Sequence, residues 1–222
     1  MRTIRVTGTG TLMLKPDMTR ITLDLGDVCP EYDEAMRRSS EHTHALRELL
    51  SDLGFQPSDL KTLSFSVDAE YESYRDFDDT YKQRFVGYRF LHRMKLEFES
   101  DNDRLGRVLY ALAHSAAQPE FRVSAFVRDT ESAKNALLEK AAADSAKKAA
   151  LLARAAGAEL KAVQSIDYSW GELRFESETV NCCVDSEAVC LSKIAPTDRY
   201  ALDVEPDDIR ATETVTMVWE LG

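Results

Sequence analysis

Hydrophobic and polar positions alternate from the start of the chain. Ile4, Val6, Gly8, Gly10, Leu12 and Leu14 fall on one side, and Arg5, Thr7, Thr9, Thr11 and Lys15 on the other. A period of two is that of a strand with one covered face, and glycines on that face imply the close approach of another element. Lys15-Pro16-Asp17 breaks the run, and Ile21, Leu23 and Leu25 then oppose Arg20, Thr22 and Asp24, which predicts a second strand hairpinned to the first. From Glu31 to Leu53 the period lengthens. Tyr32, Ala35, Met36, Ser39, Thr43, Leu46, Leu50 and Leu53 follow three-and-four spacing, and Gly54 stands where a helix would stop.

Two further strands follow Pro57-Ser58-Asp59. Leu63, Phe65, Val67, Ala69 and Tyr71 alternate with Thr62, Ser64, Ser66, Asp68 and Glu70. Val86, Tyr88, Phe90, His92, Met94, Leu96 and Phe98 oppose Gly87, Arg89, Leu91, Arg93, Lys95, Glu97 and Glu99, with Leu91 the one outlier. Their connection predicts a hairpin with a long acidic and aromatic tip at 72–84. Asp101 or Asn102 can cap a helix to about Ala116 with Leu105, Val108, Leu109 and Leu112 inward, and Phe121 to Val127 reads as a strand. Asp129 or Thr130 opens an alanine-rich helix to Ala156, stopped at Gly157. Small residues at Ala133, Ala136, Ala143, Ala146, Ala150 and Ala153 suit it to lie close to a sheet. Ala162 to Trp170 and Thr212 to Trp219 read as strands, the latter with Val215, Met217 and Trp219 on one face. Between them, about 171–208 has no clean period, and long aperiodic loops are commonly functional or disordered.

These elements predict an α+β fold: a mixed or antiparallel sheet of long strands packed by three helices. A two-strand-then-helix order occurs twice, which leaves a duplicated ββα-type unit open. No linker rich in Pro, Gly or Ser divides the 222 residues, so the expectation is one domain over 1–222 with an irregular insertion at about 171–208.

Composition narrows the function classes. With 28 Lys and Arg against 39 Asp and Glu, the net charge of −11 opposes nucleic-acid binding, because phosphate contacts require a basic surface. No apolar run is long enough to span a membrane, and no basic stretch followed by an apolar run opens the chain, which makes a cytoplasmic location the expectation. The four cysteines, Cys29, Cys182, Cys183 and Cys190, include an adjacent pair and do not read as a disulfide framework in a chain of this size.

Three stretches carry a resemblance: VTGTGTLMLKPDMTRITLDL at 6–25, LGFQPSDLKTLSFSVDAEY at 53–71 with VGYRFLHRMKLEF at 86–98, and ALLARAAGAEL at 150–160. The glycine-punctuated strand, the Lys-Pro-Asp turn, the Leu-Gly helix stop and the Gly-Tyr strand opening occur in register, and the chain resembles the SIMPL-domain family. That family includes a bacterial domain of unknown function, proteins likened to oxidative-stress-defence and outer-membrane antigens, and a mammalian adaptor associated with a receptor-associated kinase. The resemblance implies a fold, a tendency to self-associate and, loosely, a stress-response role. Many relatives carry a signal peptide, and this chain shows none.

Candidate chemistry is sparse. Gly8-Thr9-Gly10 lies within an alternating strand and lacks the following helix of a phosphate loop. His92 falls on an apolar strand face, as a satisfied core histidine would. His42 and His44 are two apart on a helix and point in different directions, while His114 stands near a helix end, where a cationic imidazole complements the dipole. No GxSxG, HExxH or GxxxxGK[ST] pattern occurs, and no cofactor motif is present. Cys182, Cys183 and Cys190 are weak metal or redox candidates without CxxC spacing. Asp76, Asp78 and Asp79, with Tyr74, Phe77 and Tyr81, lack the positions of a calcium loop and read as a solvated hairpin tip whose aromatics suit a protein contact. The functional expectation is a non-enzymatic, self-associating module, a homo-oligomer. The alternative is an adaptor binding another protein through the 72–84 tip or the 171–208 loop, and a small-ligand or metal-binding protein is the third.

Overall fold

Lys15-Pro16-Asp17 breaks the first alternating run as expected, but the strands on its two sides do not form a hairpin. In the computed structural model, which describes residues 2–75, 81–168, 175–177, 180–182 and 206–222, β1 (Arg2–Leu14) pairs antiparallel with β8 (Ile209–Leu221) from Arg2 opposite Leu221 to Leu14 opposite Ile209. β2 (Met18–Cys29) pairs antiparallel with β4 (Tyr81–Glu99) from Met18 opposite Glu99 to Cys29 opposite Tyr88. The turn therefore moves the chain from one sheet to another. The tie is long-range: Asp17 N–H donates to the Phe126 carbonyl (3.2 Å), and Asp17 Oδ1 accepts from Arg128 N–H (2.8 Å). Asp17 is thus tied to the later strand end, not folded back on its own strand.

The chain falls into two compact units. One is made of the described residues of Met1–Asp17, Phe126–Ser177 and Pro206–Gly222. Its sheet has the order β1-β8-β6, with β6 spanning Leu160–Asp167, and α3 (Thr130–Ala155) packs on it. The other contains Met18–Ala125 and the described part of Glu178–Glu205. Its sheet has the order β3-β4-β2-β5-β7, with β3 at Lys61–Arg75, β5 at Glu120–Phe126 and β7 at Val180–Cys182. α1 (Tyr32–Asp52) and α2 (Asn102–Ala113) belong to it. The fold is α+β, with three helices among the described residues and two antiparallel sheets where the sequence predicts one. Within the second unit the recurring element is β2-α1-β3 followed by β4-α2-β5, a split βαβ arrangement. The ββα order seen along the sequence arises because β1 leaves for the other sheet.

Glycine explains the first unit. An added Cβ at Gly8 would lie 2.1 Å from the Ala141 carbonyl oxygen and 2.3 Å from Ser145 N, and one at Gly10 would lie 2.2 Å from the Leu137 carbonyl oxygen. Strand β1 therefore meets the backbone of α3 with no side chain between them. The helix answers with a row at every fourth position, Ala133, Leu137, Ala141, Ser145, Ala149 and Ala153, all buried. Ala143, Ala146 and Ala150, expected on that face, are exposed and Ala136 is half-buried, because an alanine-rich helix has small residues on every side and composition alone does not choose among them. Ser145 Oγ donates to the Val6 carbonyl (3.0 Å), and Asp144 Oδ2 accepts from Thr9 N–H (2.8 Å) while pairing with Lys148 Nζ (2.7 Å).

The second unit buries Ile21, Leu23 and Leu25 of β2, Phe90, Met94, Leu96 and Phe98 of β4, and Leu46, Leu50, Leu105, Val108 and Leu112 of the helices in one core. Helix α1 closes at Gly54, whose φ of +83° lies in the left-handed region. Asp101 caps α2 by accepting from Arg104 N–H (3.0 Å), and Asp129 caps α3 through Ser132 N–H (2.9 Å).

The two glycine roles predict different responses to alanine. Gly8→Ala forces β1 off α3 and should cost about 3 kcal/mol or more. Gly54→Ala has open space around it and should cost only the left-handed penalty, about 1–2 kcal/mol. Urea unfolding of both variants tests this, and equal losses would contradict the backbone contact.

Candidate interaction surface

Strand β3 alternates as a covered strand should, yet among the described residues only Val67 of its apolar side chains packs on the core and the others stay largely exposed. Leu63 is 50% exposed, Phe65 42% and Tyr71 56%, and of the strand only Val67 and Glu70 reach half-burial. The sequence places Leu63, Phe65, Val67, Ala69 and Tyr71 on one inward face, and the structure corrects this in two ways. Leu63 is the extra residue of a register shift between Thr62 and Ser64. The remaining residues share a face with the buried positions of β4, since Phe65 lies opposite His92 and Val67 opposite Phe90, but they stand at the sheet edge.

A second irregularity shapes the arm. Glu70 pairs with Gly87 and Tyr71 with Phe85, so Val86 is the extra residue. The sequence pattern assigns Val86 to the inward face; the bulge instead brings Phe85 onto the face of Tyr88, the re-aiming that bulges produce. Rings then meet edge-to-face in series: Tyr71 with Phe85 (5.7 Å between centroids), Phe85 with Tyr88 (5.3 Å) and Tyr88 with Tyr32 of α1 (5.6 Å). Such pairs add roughly 0.5–1.5 kcal/mol each beyond burial. Gly87 makes the geometry possible, because a Cβ there would lie 2.3 Å from the Cys29 carbonyl oxygen. A glycine inside a strand pattern is the one sequence signal that pointed to this bulge.

Ion pairs line the ribbon as well. Arg84 reaches Glu72 (2.8 Å), and Arg89 forms a two-pronged contact with Glu70 (2.8 and 3.0 Å). The Arg89 guanidinium holds the Glu70 carboxyl below its ordinary range. Further down the sheet, Asp24 accepts two bonds from Arg93 (2.6 and 3.2 Å) and one from Arg122 (3.1 Å).

His92 sits where α1, β3 and β4 meet. Thr43 Oγ1 donates to the Ser39 carbonyl (2.8 Å), so its 3.1 Å contact with His92 Nδ1 has the imidazole N–H donating. Nε2 is then the acceptor, taking the Thr62 hydroxyl proton at 2.8 Å. A hydroxyl beside an imidazole resembles a nucleophile and base, but here the third group is a neutral hydroxyl and not a carboxylate that would stabilise an imidazolium. Phe65 packs its ring against His92 at 5.2 Å. Burial, with the nearby Arg47 charge, pushes the His92 pKa down.

The remaining sequence candidates divide as follows. Tyr74 and Tyr81 flank the hairpin tip and are exposed, Tyr81 by 78%. Asp76, Phe77, Asp78 and Asp79 lie outside the described residues. Cys182 ends β7, opposite Phe121, and Cys183 and Cys190 lie outside the described residues, as does most of the 171–208 segment. Cys29 is a buried free thiol whose pKa burial raises. His114 caps α2, its Nδ1 2.8 Å from the Tyr110 carbonyl, and His44 lies 3.4 Å from Glu48. Among the described residues no three His, Cys, Asp or Glu side chains converge as a metal site, and no helix is long and apolar enough to cross a membrane. Gly8-Thr9-Gly10 packs on α3 within a strand.

Fold and surface together define an α+β protein with a largely exposed apolar strand face. The chain belongs to the SIMPL family, a protein of unknown function (DUF541), which matches over residues 4–219. No curated protein matches it. A crystal structure of the regulatory subunit of aspartate kinase from Thermus flavus aligns with 97% of this chain and 89% of its own length, at 12% identity and a TM-score of 0.19. At that score the likeness carries no argument about fold or activity.

The His92 arrangement gives a pH prediction. Its folded pKa is depressed, so between the folded value and the unfolded value of about 6.5 the unfolded chain binds the proton first. Stability should be full above about pH 6.5 and fall as pH drops below it, while Glu70 and Asp144, both depressed, act only near and below the ordinary carboxylate range. An NMR titration should find His92 neutral and Nδ1-protonated at pH 6.5. A midpoint at or above 6.5 would contradict the network.

Proposed function

We propose that the chain is a non-enzymatic module that associates with copies of itself. The observation that carries this is β3. Its alternation is that of a strand with a covered face, while Phe65 and Tyr71 stand open and the aromatic series continues from Tyr71 to Tyr32. A contiguous apolar face beside a strand edge that no described strand pairs marks an interaction site. The reading assigns no catalytic step. In its support, both ring nitrogens of His92 are engaged by threonine hydroxyls.

A second reading, an adaptor for a different protein, is favoured by the exposure of Tyr81 and Tyr74 beside the hairpin tip. Tyr74→Ser with Tyr81→Ser should then abolish capture of a bound protein and leave self-association unchanged.

Size-exclusion chromatography with light scattering should give a mass of at least two chains at tens of micromolar. Tyr71→Ser combined with Phe85→Ser should shift it towards one chain while also lowering stability by about 1–3 kcal/mol through loss of two ring pairs, so a native circular dichroism spectrum must accompany the mass. A single-chain mass for the unmodified protein would overturn the proposal.

A further inference from the structure

Four strands stand at sheet edges among the described residues, and they differ in what they offer a partner strand. Along β1, side chains of α3 occupy backbone groups: Asp144 accepts from Thr9 N–H, Ser145 Oγ donates to the Val6 carbonyl, and Lys140 Nζ approaches the Thr11 carbonyl at 3.4 Å. β6 shifts register on both sides of Val163, and the described part of β7 is Val180–Cys182. β3 differs. Beyond the bulge at Leu63, Ser64 to Arg75 contains no Pro or Gly, and the charges that can blunt an edge are Asp68, Glu70, Glu72 and Arg75, which restrict the registers open to it. It shifts register only where β4 bulges.

We infer that this edge pairs with the β3 edge of a second copy, antiparallel about a two-fold axis at Val67, joining two sheets into one. The inference rests on the self-association proposed above and specifies its interface.

Register follows from face and charge. In an antiparallel ladder, directly opposed residues share a face, so the axis passes through a residue and not between two. Ser64, Ser66, Asp68 and Glu70 lie on one face, and Phe65, Val67 and Ala69 on the other. An axis at Asp68 opposes the two Asp68 carboxylates, and an axis at Ala69 opposes Asp68 with Glu70; like charges directly opposed are destabilising. An axis at Ser66 brings the bulged Leu63 opposite Ala69 and shortens the regular ladder.

The Val67 axis avoids both faults. Ser66 then meets Asp68 of the second copy and Ser64 meets Glu70, which gives each carboxylate a hydroxyl donor. On the apolar face Phe65 meets Ala69, large against small, and Val67 meets itself. The two Asp68 residues fall on diagonal positions, each directly opposite Arg89 of its own chain.

Cysteine placement tests the register in the full chain, with Cys182, Cys183 and Cys190 replaced by serine and the buried Cys29 retained. Val67→Cys, oxidised with copper phenanthroline, should form a covalent dimer, because opposed Cα atoms about 4.5–5.5 Å apart suit a disulfide. Ala69→Cys should not, since the two copies of residue 69 would be about 13 Å apart along the strands. Phe65→Cys combined with Ala69→Cys should restore cross-linking. Val67→Glu should weaken association at least tenfold in sedimentation equilibrium; because Val67 also packs on the core, a native circular dichroism spectrum and a cooperative unfolding transition serve to confirm that the variant folds.

Association of the unmodified chain with no more cross-linking at 67 than at 69 would overturn this register and leave the self-association proposal standing. A monomeric unmodified chain would overturn both.

Discussion

The architecture depends on how the chain is held at Asp17. Its N–H donates to the Phe126 carbonyl and its carboxylate accepts from Arg128 N–H, so the point where the chain leaves the first unit is bound to the point where it returns. Both bonds satisfy backbone groups that a strand end would otherwise leave unpaired. With the crossing fixed, β1 is free to pair with β8 along its whole length, and Met18–Ala125 form a second unit with a core of their own. A simple β1–β2 hairpin would have placed Gly8 and Gly10 in another sheet and left α3 without the flat strand it packs on.

That strand was well encoded. Glycines on the covered face of β1 stated in advance that another backbone would come close, and α3 does so at Gly8 and Gly10. Helix ends were legible for a similar reason: Gly54 and Gly157 adopt positive φ, and Asp101 and Asp129 cap from positions the sequence marks. These are local requirements, set by one residue and its neighbours. Partners of strands are not local. The alternation in residues 4–25 describes two strands equally well whether they pair with each other or with strands far along the chain, and the deciding contacts of Asp17 are with residues more than a hundred positions away.

The surface was half legible. Phe65, Val67 and Tyr71 were visible as one face of a strand, but periodicity says that a face is to be covered and not by what. Phe85 was hidden because a bulge at Val86 changes the parity of the strand. Only Gly87, against the Cys29 carbonyl, hinted at it. The same bulge turns separate aromatics into a connected series reaching Tyr32, so the most specific feature of the surface arises from an irregularity that a period of two erases.

β3 carries the strongest conflict between levels. Its residues are those of a half-buried strand, its edge is free of Pro and Gly beyond Leu63, and most of its apolar face is exposed, whereas among the described residues the other edges are bonded by α3 side chains, irregular in register or short. Sequences that fold well are consistent across levels, and exceptions gather where function lies. Within one chain Val67 packs on the core, Phe65 on His92 and Tyr71 on Phe85, yet Phe65 and Tyr71 keep much of their surface exposed, more than these contacts use. If β3 met any strand at all, the acidic run Asp68, Glu70 and Glu72 would have no reason to begin where it does. Apolar residues on one face invite pairing, and the carboxylates on the other exclude the registers that oppose them. Together they describe an edge that is selective and not merely unprotected.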